Sequence, residues 1–130
     1  MKTFQERLVQ GIALASEGKV EKALAELDTG LKQALKRENH RWTIHFSRNL
    51  GLLYDQIGNL NKAKKYYSIA LRYNKSDPSS YYLLGDLYER LGKLALSRRN
   101  FTSCYQLAVK NKDEEFLEIL DKRNRVKHPD

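Results

Sequence analysis

Apolar and small residues recur along this chain in a fixed order. Leu50, Gly51, Tyr54, Gly58, Ala63, Tyr67 and Ala70 return 34 residues later as Leu84, Gly85, Tyr88, Gly92, Ser97, Phe101 and Cys104. A fainter copy, Gly11, Leu14, Gly18, Ala23, Leu27 and Gly30, lies 40 residues ahead of its counterparts in the second. Self-similarity at this period marks stacked supersecondary units, none of which can bury its apolar face alone. In each copy the stretch before the central glycine is expected to form one helix (A) and the stretch after it a second (B). Gly18, Gly58 and Gly92 fall where helix A ends, a place that favours the left-handed backbone glycine adopts without steric cost. Gly11, Gly51 and Gly85 on helix A, with Ala23, Ala63 and Ser97 on helix B, let the two backbones approach. Tyr54 with Tyr67, and Tyr88 with Phe101, are expected to fill the space beside those crossings.

The departures from the repeat also predict structure. Six extra residues separate the first copy from the second, around "KRENHRW" (Lys36 to Trp42), so a longer helix B, a longer linker or both must absorb them. Trp42 is placed at that junction. "SDPSSYY" reads as an Asp77 N-cap followed by proline at the first helical position, starting a slightly short helix A. After Asn111, "KDEEFLEILDKRNR" sets Phe116, Leu117, Ile119 and Leu120 against a charged face. That is an amphipathic helix suited to capping a stack. The closing "VKHPD" is expected to fray. The pattern predicts seven helices in all, three pairs and a cap.

The third copy, Tyr81-x2-Leu84-Gly85-x2-Tyr88 followed by Ser97-x3-Phe101, resembles the tetratricopeptide repeat signature. The second, Ser47-x2-Leu50-Gly51-x2-Tyr54 and Ala63-x3-Tyr67, lacks only the first aromatic, while the first copy keeps Gly11, Gly18 and Ala23. The resemblance implies an all-α, right-handed superhelical stack of helix-turn-helix repeats. It implies a single domain over residues 1–130: repeats at about 4–43, 44–77 and 78–111, then a capping helix at about 113–125. It also implies a protein-interaction scaffold or adaptor that binds a peptide segment or partner protein in a concave groove lined by the A helices. The groove positions would be His45, Arg48, Asn49, Leu52, Asp55 and Gln56 in the second repeat. In the third they would be Ser79, Tyr82, Leu83, Asp86, Glu89 and Arg90. Asn49 stands out because a carboxamide can donate to and accept from a peptide backbone at once. In the first repeat the same positions, Gln5, Leu8, Val9, Ile12, Ala15 and Ser16, are markedly apolar, which suits a hydrophobic peptide or self-association. The two-carboxylate clamp with which some family members hold acidic chaperone tails is not expected. Its five places hold Leu8, Ile12, Asn49, Ser79 and Leu83, of which only Asn49 fits.

Charge adds an alternative. With 24 Lys and Arg against 16 Asp and Glu the chain carries +8, which favours anionic partners without choosing among them. Lys64-Lys65 and Arg98-Arg99 repeat in step on the B helices. As a basic outer ridge they could meet nucleic-acid phosphates, although no aromatic platform or groove-entering motif accompanies them. No apolar run is long enough to span a membrane, "MKTFQERLVQG" is too charged for a secretory leader, and one cysteine permits no internal disulfide. Those features point to the cytoplasm. Enzymatic activity, a cofactor and a metal site are not expected. His40 and His45 do not share a helical face, His128 lies in the tail, and the glycines mark helix ends and crossings, not a phosphate loop. Cys104 takes the place of Ala70 and Gly30 and reads as a packing residue.

Overall fold

The structure, a computed structural model, describes residues 1–127; the predicted frayed tail lies, from His128 on, outside the described residues. Among those residues every regular element is a helix: α1 (Phe4–Ser16), α2 (Val20–Lys36), α3 (His40–Gln56), α4 (Leu60–Tyr73), α5 (Pro78–Arg90), α6 (Leu94–Lys110) and α7 (Glu114–Lys127). The repeat pattern placed all seven. Contacts gather into two compact units, Met1–Lys75 and a second beginning at Ser76, with the boundary where the second copy gives way to the third.

In the first unit Thr3, Asn39 and Asn59 cap α1, α3 and α4 by accepting backbone N–H groups from Glu6, Trp42 and Lys62. Gly18 and Gly58 end the A helices at φ 78° and 85°. The residue after each glycine donates back into the last turn, Lys19 N to Leu14 O and Asn59 N to Tyr54 O, both 2.9 Å. This is the Schellman closure that a left-handed residue permits. The same bond closes the turn after α2, Asn39 N to Ala34 O at 2.9 Å, yet there Glu38 stands at φ 53°. The turn itself is short. The six extra residues therefore lengthen helices: α2 and α3 have 17 residues each, against 14 in α4 and 13 in α5.

Ala23, Leu27, Leu31, Ala34, Phe46, Leu50 and Leu53 form the core of this unit. The small residues sit where helices cross. A Cβ on Gly51 would lie 2.5 Å from the Tyr67 ring, and one on Gly30 would lie 2.3 Å from Phe46. Trp42 packs at the junction as expected, stacked on Phe4 with ring centroids 5.9 Å apart. The Tyr54 expectation is corrected: its ring lies parallel to Tyr66 at 5.5 Å, while Tyr67 turns inward against Gly51. Adjacent residues on one helix point about 100° apart, so the inward tyrosine leaves its neighbour to meet Tyr54.

The second unit opens as predicted. Asp77 accepts from Ser79 N at 3.1 Å and from the Ser80 hydroxyl at 3.0 Å, with Pro78 beginning α5. The Ser97 hydroxyl donates to Gly85 O across the helix crossing at 2.8 Å. Phe101 covers Gly85 and meets the edge of Tyr82 at 5.6 Å, so its aromatic partner is not the expected Tyr88. Gly92 ends α5 at φ 77°, and Lys112 ends α6 at φ 54° without being glycine. Asp113 caps α7 by accepting from Phe116 N at 3.1 Å. No described residue of α7 is fully buried.

Candidate functional site

In the first unit α1 and α3 are neighbouring A helices related by the 40-residue shift, so Ile12 matches Leu52, Val9 matches Asn49 and Leu8 matches Arg48. Gly11 and Gly51 turn the opposite sides of these helices toward Leu27 and Tyr67. What remains outward is apolar and unusually open: Val9 is 58% exposed, Ile12 44% and Leu52 36%. Leu8 and Ala15 do not join that patch; they pack on the core. His45, Arg48, Asn49 and Asp55 are half-buried, and Gln56 is exposed. The His45 ring lies 5.3 Å from Trp42. Its burial, and then the positive charges of Arg48 and Arg41, hold its pKa below the ordinary imidazole value. Asp55 accepts from the Tyr67 hydroxyl at 3.4 Å.

Asn49 is half committed. Its Nδ2 donates to His45 O at 2.8 Å, the i−4 bond by which a short amide satisfies itself on its own helix. Asn100 makes the same bond to Leu96 O on α6, outside any expected groove. The Asn49 oxygen is left to accept. That bond uses one of the two Nδ2 hydrogens, and the carboxamide keeps its second hydrogen beside the oxygen.

Of the expected groove residues of the second unit, Tyr82, Asp86 and Glu89 meet α7 instead of an open face. Arg123 Nη2 donates to Asp86 Oδ1 at 3.0 Å and to Glu89 Oε2 at 3.2 Å, and its Nη1 reaches the Tyr82 hydroxyl at 3.4 Å. The guanidinium carbon lies 4.6 Å from the centroid of the Phe101 ring and 5.6 Å from that of Tyr82. Arg90 holds Asp86 from the other side, Nη2 to Oδ2 at 2.9 Å and Nε to Oδ2 at 3.0 Å. Ser79 and Leu83 are half-buried on the same helix. Sequence reasoning missed Arg123, although one signal was available. Counted from the caps Asp77 and Asp113, it takes the register of Leu87, which is fully buried.

Of the basic ridge, Lys65, Arg98 and Arg99 are exposed and Lys64 half-buried. The unexpected feature is aromatic company in the first unit. Lys65 Nζ lies 5.4 Å from the Tyr66 ring centroid and Lys62 Nζ 5.2 Å from that of Tyr54, on the stacked tyrosine pair. In the second unit Arg98 lines a cavity of about 560 Å³ with Leu94, Phe101, Tyr105, Leu120 and Arg123. Cys104 is fully buried, its thiol pushed up to about 11, first by burial and then by Asp113 and Asp77. Among the described residues no helix is long and apolar enough to cross a membrane, and no three His, Cys, Asp or Glu gather as metal ligands would.

Residues 48–101 match the profile of the tetratricopeptide repeat. The chain belongs to the tetratricopeptide repeat family. Its fold is that of solved repeat domains: it superposes on the TPR domain of Arabidopsis FLU with a TM-score of 0.71 at 21% identity, covering 79% of this chain and 92% of that one. It also superposes on the Rap conjugation gene regulator of plasmid pLS20, solved in complex with a Phr peptide. There the TM-score is 0.82 at 24% identity, over 95% of this chain and 35% of that one. In sequence it is 38% identical over 109 residues to response regulator aspartate phosphatase E of Bacillus subtilis (strain 168). That match covers 78% of this chain but 29% of the relative, so the chain spans under a third of that protein's length.

Proposed function

We propose that this repeat protein is a protein-interaction module that takes a peptide segment on the outward side of α1 and α3. One observation carries the reading: the equivalent pair Ile12 and Leu52 on two neighbouring A helices, with Val9 one turn before Ile12, exposes large apolar side chains on the helices that carry half-buried Arg48 and Asn49. Isolated exposed apolar residues are ordinary; a cluster that includes a repeat-equivalent pair on adjacent helices marks a contact surface. The Asn49 oxygen accepts a peptide N–H, and the apolar side chains supply the area that makes binding favourable. The peptide complex of the pLS20 regulator supports a peptide as the partner class. The phosphatase name belongs to a relative of which this chain spans 29%, and catalysis forms no part of the proposal.

The test is selection of binders from a random displayed-peptide library, followed by affinity measurement on variants. Ile12→Asp and Leu52→Asp are expected to weaken the selected peptides by about tenfold or more, the loss of one to two buried aliphatic contacts. Lys64→Glu/Lys65→Glu should leave binding within about twofold, as exposed charges away from a contact do. If the selected binders ignore the first pair, respond to the second and weaken steeply with salt, the surface lies instead on the basic ridge and an anionic partner is indicated.

A further inference from the structure

The second unit carries a built seat for a guanidinium group. Two carboxylates, Asp86 and Glu89, a tyrosine hydroxyl and two aromatic faces converge on Arg123. A planar fork that donates along several directions and stacks on rings fits this arrangement; a compact ammonium does not. Yet α7 fills the seat poorly. Arg123 Nε is buried with no hydrogen-bond partner. Beside the guanidinium lies an open cleft of about 560 Å³ walled by Leu94, Phe101, Tyr105 and Leu120. No described residue of α7 is fully buried, and the turn that carries the helix holds Lys112 in the left-handed region. An element with few buried contacts opens readily.

We propose that Tyr82, Asp86, Glu89 and Phe101 form a recognition site for an arginine side chain of a partner peptide, flanked by an apolar residue, with Arg123 as its built-in competitor. The partner's arginine takes the guanidinium seat, and the adjacent apolar side chain replaces Leu120 against the wall that α6 contributes, Leu94, Phe101 and Tyr105, as α7 leaves. While Arg123 occupies the seat, apparent affinity is reduced by the fraction of molecules in which α7 is closed. The site is separate from the α1–α3 surface and stands on different observations, so either can fail alone.

The experiment uses the full chain and two dipeptide probes, acetyl-Arg-Leu-amide and acetyl-Lys-Leu-amide, titrated by NMR. Arg123→Ala is expected to bind the arginine probe about tenfold more tightly than wild type, since removing the competitor removes that closed fraction. The same variant should prefer arginine to lysine by a similar factor, and adding Asp86→Asn should abolish the gain. Should Arg123→Ala lose helical circular dichroism, Arg123→Met, which keeps the stem packed, serves in its place. In wild type, a saturating arginine probe should speed amide exchange in α7 and leave α5 and α6 protected. Equal affinity of wild type and variant, equal binding of both probes, or unchanged α7 exchange at millimolar arginine probe would each overturn the proposal.

Discussion

A single Cβ separates two outcomes in this fold. Gly30→Ala gains up to about 1 kcal/mol of helix propensity but sets a methyl 2.3 Å from the ring of Phe46, which is wholly buried and cannot retreat. Overpacking of about 1–3 kcal/mol wins, and the variant should unfold at lower denaturant with an unchanged slope. Gly85→Ala meets Phe101 at 2.9 Å, but that ring is half-buried beside the cavity and can shift. Its cost should be within about 0.5 kcal/mol of zero, as propensity and crowding offset each other. Cys104 makes a prediction in pH. Its folded pKa is raised from an ordinary value near 9 to about 11, so the fold favours the protonated thiol. That contribution is complete below pH 9 and is lost as pH rises toward 11. Cys104→Ala, which installs the residue of the equivalent Ala70, should flatten the fall in stability across that window. Asn49→Leu, lacking an acceptor, should weaken peptide binding more than Asn49→Asp, which keeps one.

Helices and their ends were largely legible, because glycines at fixed spacing mark both crossings and stops. The sites were less so. Glu38 and Lys112 adopt the backbone that Gly18, Gly58 and Gly92 adopt elsewhere, and no residue type announces it. The closing bond into the preceding turn, Asp113 N to Ala108 O at 2.8 Å, is what holds Lys112 there. A left-handed non-glycine costs about 1–2 kcal/mol, less what glycine loses in unfolded-chain entropy. Lys112→Gly should therefore raise stability by about 0.5–1 kcal/mol in denaturant unfolding. Tyr54 meeting Tyr66, and Asn49 bonding its own helix, depend on rotamers and on one-residue differences in facing that periodicity does not resolve. Arg123 was hidden for another reason: its partners lie 34 to 41 residues away, and the repeat that organised the reading stops at Asn111. Only its register, shared with buried Leu87, betrays it.

At the scale of the whole molecule the excess of positive charge invites an electrostatic explanation, yet local geometry argues for apolar contact. Lys62 and Lys65 lie over the stacked tyrosines, and Arg123 is paired with two carboxylates. Val9, Ile12 and Leu52, by contrast, keep a third or more of their apolar surface exposed. Peptide binding should accordingly change by less than about threefold between low and physiological salt, where a phosphate-bound surface would lose orders of magnitude. The most direct measurement is chemical-shift mapping of the full chain with a library-selected peptide. Shifts concentrated in α1 and α3, around Val9, Ile12, Asn49 and Leu52, are the predicted result. Shifts concentrated instead in α4 and α6, around Lys64, Lys65, Arg98 and Arg99, with α1 and α3 undisturbed, would contradict the account.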